Sequence, residues 1–366
     1  MDFIPKYVVF VVSPSLGIVD TVTPILAQLK ETYPNIKVIG YFPRPEIISQ
    51  AQDNPSLLRK LENFIDLIGI ESVLSKQLTL IPTVHLFSLV KSGKIFQGLA
   101  KALGRLAGLN RLVISTIANI HMHQFSKRQY IEYGTLFSPS TTLVIGDFNE
   151  VSKPFMGCLR RHANHVLFCG VNHGVDIDRR TMWSVQPHFN LFTRRHCFLF
   201  SNEEKAYYRS RFGLDETEMS VVGVQKHDKF WMQQQDALTS ALSAKKALNN
   251  RQALLISRPA SSSYLPTNRK RRALHDLRRV IIEELGFKLL IKLHPKESNK
   301  QEFFDCLGHQ GNGTKWAFVD ESLETLGRQV AFGMCFYSGV CTDMIMLGKP
   351  MIEYLDLNGL NGLERL

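Results

Sequence analysis

Short apolar runs, each ending in a polar or glycine-bearing loop, alternate along this chain with stretches of helical spacing. Tyr7–Val12 (YVVFVV) is a valine-rich, β-branched run and predicts a buried first strand. The loop SPSLGIVD, containing Gly17, follows it, and TVTPILAQLKETYP then predicts a helix. Pro24 suits that helix only in its first turn, where a missing N–H costs nothing. Ile36–Tyr41 is the next strand, so the chain opens as a βαβ unit. Gly17 is expected either to let a ligand approach the helix start or simply to shape the turn. From Leu57 to Ile120 the pattern is mainly helical, and Thr141–Gly146, ending at Asp147, and His165–Cys169 are further strands.

A crossover near Gln186–Arg195 divides the chain into two α/β series, with expected domains at 1–190 and 191–366. The second series opens with the strand Cys197–Ser201 and a helix stopped by Gly213; Met219–Gly223 and Ala253–Ser257 are its next strands. SRPASSSYLPTNRKRR is polar and basic and reads as a long loop, its Arg269–Arg272 cluster either solvated or touching phosphate. FKLLIKLHPKE then predicts a strand that delivers Lys292, His294 and Pro295 at its end. FGMCFYSGVCTDMIMLGKPMIEYLDL predicts a strand breaking at Tyr337, Ser338 and Gly339, a helix carrying Asp343 near its start, and a last strand holding Glu353. In doubly wound sheets, loops at the carboxyl ends of strands form the ligand crevice. His294 and the Tyr337–Asp343 segment are therefore expected to face one crevice, with the Ser338–Val340 N–H groups seating a phosphate.

Composition narrows the partners. At 366 residues, 44% hydrophobic and 21% charged, the chain has the balance of a globular protein long enough for two cored domains. A formal charge of +11 points to an anionic partner: a nucleotide, a phosphate-rich polymer or an acidic membrane surface. No zinc-finger or RNA-recognition pattern accompanies it, so no nucleic-acid partner is expected. The six cysteines, Cys158, Cys169, Cys197, Cys306, Cys335 and Cys341, are scattered without a CxxC pair and read as reduced core residues. YVVFVV is too short to span a bilayer and no cleavable signal precedes it, so a cytoplasmic location is expected. Lys91, Lys94, Lys101, Arg105 and Arg111 interleave with Ile95, Leu99, Leu103 and Leu106, a basic amphipathic pattern that suits either an anionic membrane or a solvated helix face.

The chemistry-bearing residues follow the strands. His173 comes after the strand at His165–Cys169 and before Gly174, which allows close backbone approach. An imidazole there is placed to take a proton from a hydroxyl nucleophile near neutral pH, or to serve a structural role. Asp176 and Asp178 form a D-x-D pair, but Arg179 and Arg180 adjoin them and no metal is expected. Lys292 either adds to a phosphate site or sits on an outward strand face. Asp343 either hydrogen-bonds a donor hydroxyl or complements the helix dipole. Glu353 either reaches a ribose or is an exposed strand residue.

Two α/β series with HG in the first and SVVGVQKHDKF, LLIKLHP and YSGVCTDMIMLGKPMIEY in order in the second resemble the CDP-glycerol glycerophosphotransferase family and related surface-polysaccharide transferases. The resemblance spans Val166 to Tyr354, with Phe336 where the family often has Asp, Gly339 for a second Ser, and HGV for HGT. It implies the GT-B architecture: two Rossmann-like domains facing a crevice, an acceptor domain followed by a nucleotide-donor domain. It implies His173 as base, and His294 with the Tyr337–Ser338–Gly339 loop as donor-phosphate ligands. The partners implied are a nucleotide-activated donor and a glycan, polyol-phosphate or lipid-linked acceptor, with no metal or other cofactor. Hydrolysing UDP-N-acetylglucosamine 2-epimerases share the plan and resemble the chain in YSGV and LGKP, but need first-domain carboxylates where this chain has HGVD. A third expectation is an inactive GT-B module that binds anionic glycans or nucleotides. Such second domains usually continue into further helices, so a chain ending LNGLNGLERL is expected to be truncated or a short variant.

Overall fold

In the computed structural model, the buried apolar runs among the described residues pair into one sheet of nine strands and one of five. The structure describes residues 5–12, 17–42, 55–71, 77–86, 129–137, 142–147, 166–171, 194–234, 251–262, 265–294, 297, 299–336 and 338–354. His173, Gly174, Asp176, Asp178, Tyr337 and the basic segment 91–111 lie outside them. The described residues fall into two compact units that divide between Asp228 and Lys229.

The first unit is built on β1 (Tyr7–Val11), which pairs in parallel with β2 (Lys37–Phe42) on one side and β6 (Thr142–Asp147) on the other. Helix α1 (Gly17–Thr32) lays Ile18, Val19, Val22 and Leu26 on Val8 and Phe10. Helix α2 (Pro55–Phe64) adds Leu58 and Leu61 to the same core. The carboxylate of Asp66 ties these layers together, accepting from Lys30 Nζ at 2.9 Å and from the Val38 N–H at 2.8 Å.

Three expectations change here. Helix α1 begins at Gly17, earlier than its apolar pattern suggested, so Gly17 is a helical residue and Pro24 lies inside the helix rather than in its first turn. Burial of seven of its residues, Pro24 among them, holds the helix despite the lost N–H. The stretch after Leu57 is not helical throughout: β3 (Leu67–Glu71) and β4 (Gln77–Pro82) pair antiparallel, and β4 pairs with β5 (Gln129–Glu132). Finally, the first sheet does not stop near residue 190. Beyond β7 (Leu167–Val171) it takes in β8 (Arg195–Leu199) and β9 (Met219–Val221), because Cys197 and Leu199 pack into the core around Val144 and Phe168.

The second unit is a parallel sheet in the order β12-β11-β10-β13-β14. Its strands are β10 (Gln252–Ile256), β11 (Lys288–Lys292), β12 (Trp316–Phe318), β13 (Phe332–Cys335) and β14 (Met351–Glu353). Between α2 and this unit lie the short α3 (Tyr133–Leu136) and α4 (Asn202–Phe212), both in the first. Around the second sheet are α5 (Thr267–Leu277), α6 (Gln301–Leu307), α7 (Leu323–Gln329) and α8 (Val340–Met346). One face carries Leu255, Leu289 and Ile291 against Leu274, Leu277 and Phe303 of α5 and α6. The other carries Leu254, Ile256, Leu290 and Cys335 against Leu326 of α7 and Met344 of α8. The NRKRR stretch is therefore not a loop but the start of α5. No helix among the described residues is long and apolar enough to cross a membrane.

Candidate functional site

The second sheet lines up its carboxyl ends. Ile256 of β10 is level with Lys292 of β11 on one side and Cys335 of β13 on the other, and Cys335 is level with Glu353 of β14. From β10 the chain winds outward through β11 and β12, then returns to add β13 and β14 on the opposite flank. Strand order thus reverses between β10 and β13, and in open parallel sheets that switch point is where ligands settle. Ser257, His294 and Ser338 leave the three strands around it.

On the α5 side, a buried polar cluster holds the His294 turn. The Ser257 N–H donates to the Lys292 carbonyl at 2.9 Å, and its hydroxyl donates to Glu297 Oε1 at 3.1 Å. Glu297 donates its own N–H to the His294 carbonyl at 2.8 Å and accepts the His294 N–H through Oε2 at 3.4 Å. Lys270, almost completely buried, bonds to Glu297 and sits 3.0 Å from Glu302 Oε2, with its ammonium 4.9 Å from the Phe303 ring centroid. A buried carboxylate pair around one lysine is tolerable only with such partners.

On the α8 side, Lys292 Nζ donates to the Glu321 carbonyl at 2.7 Å, which ties β11 to the entry of α7. The turn after β13 is closed by its own atoms. Ser338 Oγ accepts the Val340 N–H at 3.4 Å, the Ser338 carbonyl accepts from Cys341 N–H at 3.2 Å, and the Gly339 carbonyl accepts the Thr342 hydroxyl at 2.7 Å. The Ser338 N–H faces the Glu353 carboxylate. The N–H groups expected to seat a phosphate are thus partly committed within the turn, and α8 itself runs only from Val340 to Met346.

Cys335 and Cys341 meet at 3.1 Å Sγ to Sγ beside Glu353. The bond from the Cys335 thiol holds Cys341 below its ordinary value, and the same contact together with burial pushes Cys335 up. Burial raises the Glu353 carboxyl against the opposing pull of the Ser338 N–H.

Of the residues expected from the sequence, Lys292, His294, Ser338, Gly339 and Glu353 come to one edge of this unit. Asp343 lies within α8, and its carbonyl accepts the Leu347 N–H at 3.2 Å. Gly17 belongs to the first unit, where Asp147 is buried at the end of β6. Sequence reasoning missed Ser257, Lys270, Glu297 and the thiol pair. One signal was present: Lys270, Ala273, Leu274 and Leu277 share the spacing of a buried helix face.

No protein-family model matches this chain, and no curated protein matches it either. Solved structures match in fold. A putative UDP-N-acetylglucosamine 2-epimerase from Listeria monocytogenes aligns at 12% identity and a TM-score of 0.54, over 95% of this chain and 78% of its own. The UDP-GlcNAc 2-epimerase from Neisseria meningitidis, solved bound to UDP-GlcNAc, aligns at 13% identity and 0.52, over 96% and 83%. The wall teichoic acid polymerase TagF aligns at 12% identity and 0.50, over 95% and 70%. This chain shares with them the GT-B type of α/β fold, built from two Rossmann-like sheets.

Proposed function

We propose that this protein binds a nucleotide-activated donor on its second unit and transfers a glycosyl or polyol-phosphate group from it to an acceptor hydroxyl. The observation that carries the proposal is the switch point between β10 and β13, with Ser257, His294 and Ser338 at the strand ends around it. There His294 and Ser338 contact the donor phosphates and offset charge on the leaving nucleotide. His173 of the first unit takes the proton from the acceptor, a glycan, a polyol phosphate or a lipid-linked form of either. The basic charge of the chain suits both anionic reactants.

A second reading, epimerisation of UDP-N-acetylglucosamine, is favoured by one observation: two of the three fold matches named above are epimerases, one of them bound to UDP-GlcNAc. Both readings need a nucleoside diphosphate in the second unit. A thermal-shift panel of CMP, CDP, UDP, GDP and ADP tests that shared step. A ligand at one hundred times its dissociation constant adds about 2.7 kcal/mol. Incubation with UDP-N-acetylglucosamine and no acceptor separates the two, because only an epimerase then inverts the sugar at C2. Under the transferase reading His173→Ala keeps the thermal shift and loses about 10²–10⁴-fold in turnover. Normal turnover in that variant removes His173 from the chemistry.

A further inference from the structure

Cys335 is the last residue of β13, Cys341 lies in the first turn of α8, and Glu353 ends β14. Register places Cys335 and Glu353 side by side, and the return of α8 over the sheet brings in Cys341. The two sulfurs and a Glu353 oxygen all lie within 4.8 Å of one another. Among the described residues, Glu353 Oε1 is buried and accepts no hydrogen bond. A buried carboxylate oxygen without a hydrogen-bond partner is costly unless something supplies positive charge.

We propose that Cys335, Cys341 and Glu353 form a binding site for a divalent, thiolate-preferring cation of the zinc class. Two sulfurs and one carboxylate make a soft donor set, which disfavours magnesium and calcium and suits tetrahedral zinc with its fourth position open. Zinc–sulfur bonds of about 2.3 Å place two sulfurs about 3.8 Å apart, so the pair opens by about 0.7 Å on binding. Both thiols lose their protons to solvent as the two metal–sulfur bonds form. A disulfide is the rival use of the same sulfurs, requiring them to close by about 1 Å. It leaves Glu353 Oε1 as it is, whereas a cation engages all three groups. The bound ion ties β13, α8 and β14 together and fixes the turn that carries Ser338. It does not depend on the donor-binding proposal, and it departs from the expectation that no metal binds.

The test uses the full chain, purified under reducing conditions, stripped with a chelator and titrated with Zn²⁺ against a chromophoric competitor. The expected result is one tightly held zinc per chain, with Cys335→Ser, Cys341→Ser and Glu353→Gln each weakening it by about 10–100-fold or more. Cys306→Ala, in the core of α6, retains it. Co²⁺ in place of Zn²⁺ gives a sulfur-to-cobalt absorption band that each thiol variant diminishes. This readout keeps the test valid if one variant folds poorly. Failure to retain stoichiometric zinc overturns the proposal, as does wild-type affinity in Glu353→Gln. So does a chain that binds no metal but loses two hydrogens in mass under mild peroxide, which identifies a disulfide pair. None of these readouts involves a nucleotide, so the outcome is independent of the donor site.

Discussion

Lys270 shows how much one side chain sets in this unit. Among the described residues it is one of few almost fully buried charges, and it pairs with Glu297 and Glu302 at once. Through Glu297 it also holds the backbone of His294. Removing one partner of such a cluster leaves uncompensated buried charge, so Lys270→Met is expected to destabilise the protein by about 3–5 kcal/mol in denaturant unfolding. A loss below about 1 kcal/mol contradicts the account. His196 offers a pH-dependent counterpart in the first unit. Burial holds its pKa below the ordinary histidine value, and its ring bonds to Ser220 Oγ at 2.8 Å. Below pH 6.5 the unfolded chain takes up a proton that folded His196 resists. Its contribution is therefore present above 6.5 and lost as pH falls toward the folded pKa. His196→Asn is expected to flatten that part of the stability–pH curve, and an unchanged slope counts against it. At this scale the sequence showed His294, Ser338 and Glu353, because apolar runs end at them. It did not show their supports, since Ser257, Lys270 and Glu297 meet only across 27 to 40 residues of chain.

Elements were legible where an apolar run stands alone between turn residues and obscure where it lies within a stretch of helical spacing. β1, β2, β6, β10, β11 and β13 were all expected within two residues of where they form, since short apolar runs bounded by loop residues have few alternatives. β3 (LIGIE) and β4 (QLTLIP) were missed because apolar runs this short do not by themselves separate strand from helix. Their close packing depends on Gly69, where an added Cβ would stand 2.8 Å from Leu78 Cδ2 and 3.1 Å from Ile39 Cγ2. Gly69→Ala is expected to cost about 1–3 kcal/mol through overpacking. Unchanged or raised stability argues against the antiparallel pairing of β3 with β4. The placement of β8 and β9 in the first sheet was also illegible, because a run such as RHCFL specifies a strand but not its partner.

For the whole molecule, the two α/β series visible in the sequence correspond to two sheets, with the division at Asp228 rather than near residue 190. The central claim is that the second unit holds a nucleotide diphosphate at the ends of β10, β11 and β13. Calorimetric titration of the full chain with the best nucleoside diphosphate, beside His294→Ala and Ser338→Ala, tests it most directly. Each variant should keep the wild-type unfolding midpoint and lose about 1.5–3 kcal/mol of binding, or about ten- to a hundredfold in affinity. Wild-type affinity in both variants, or no nucleoside diphosphate bound by the wild-type chain, would contradict the claim.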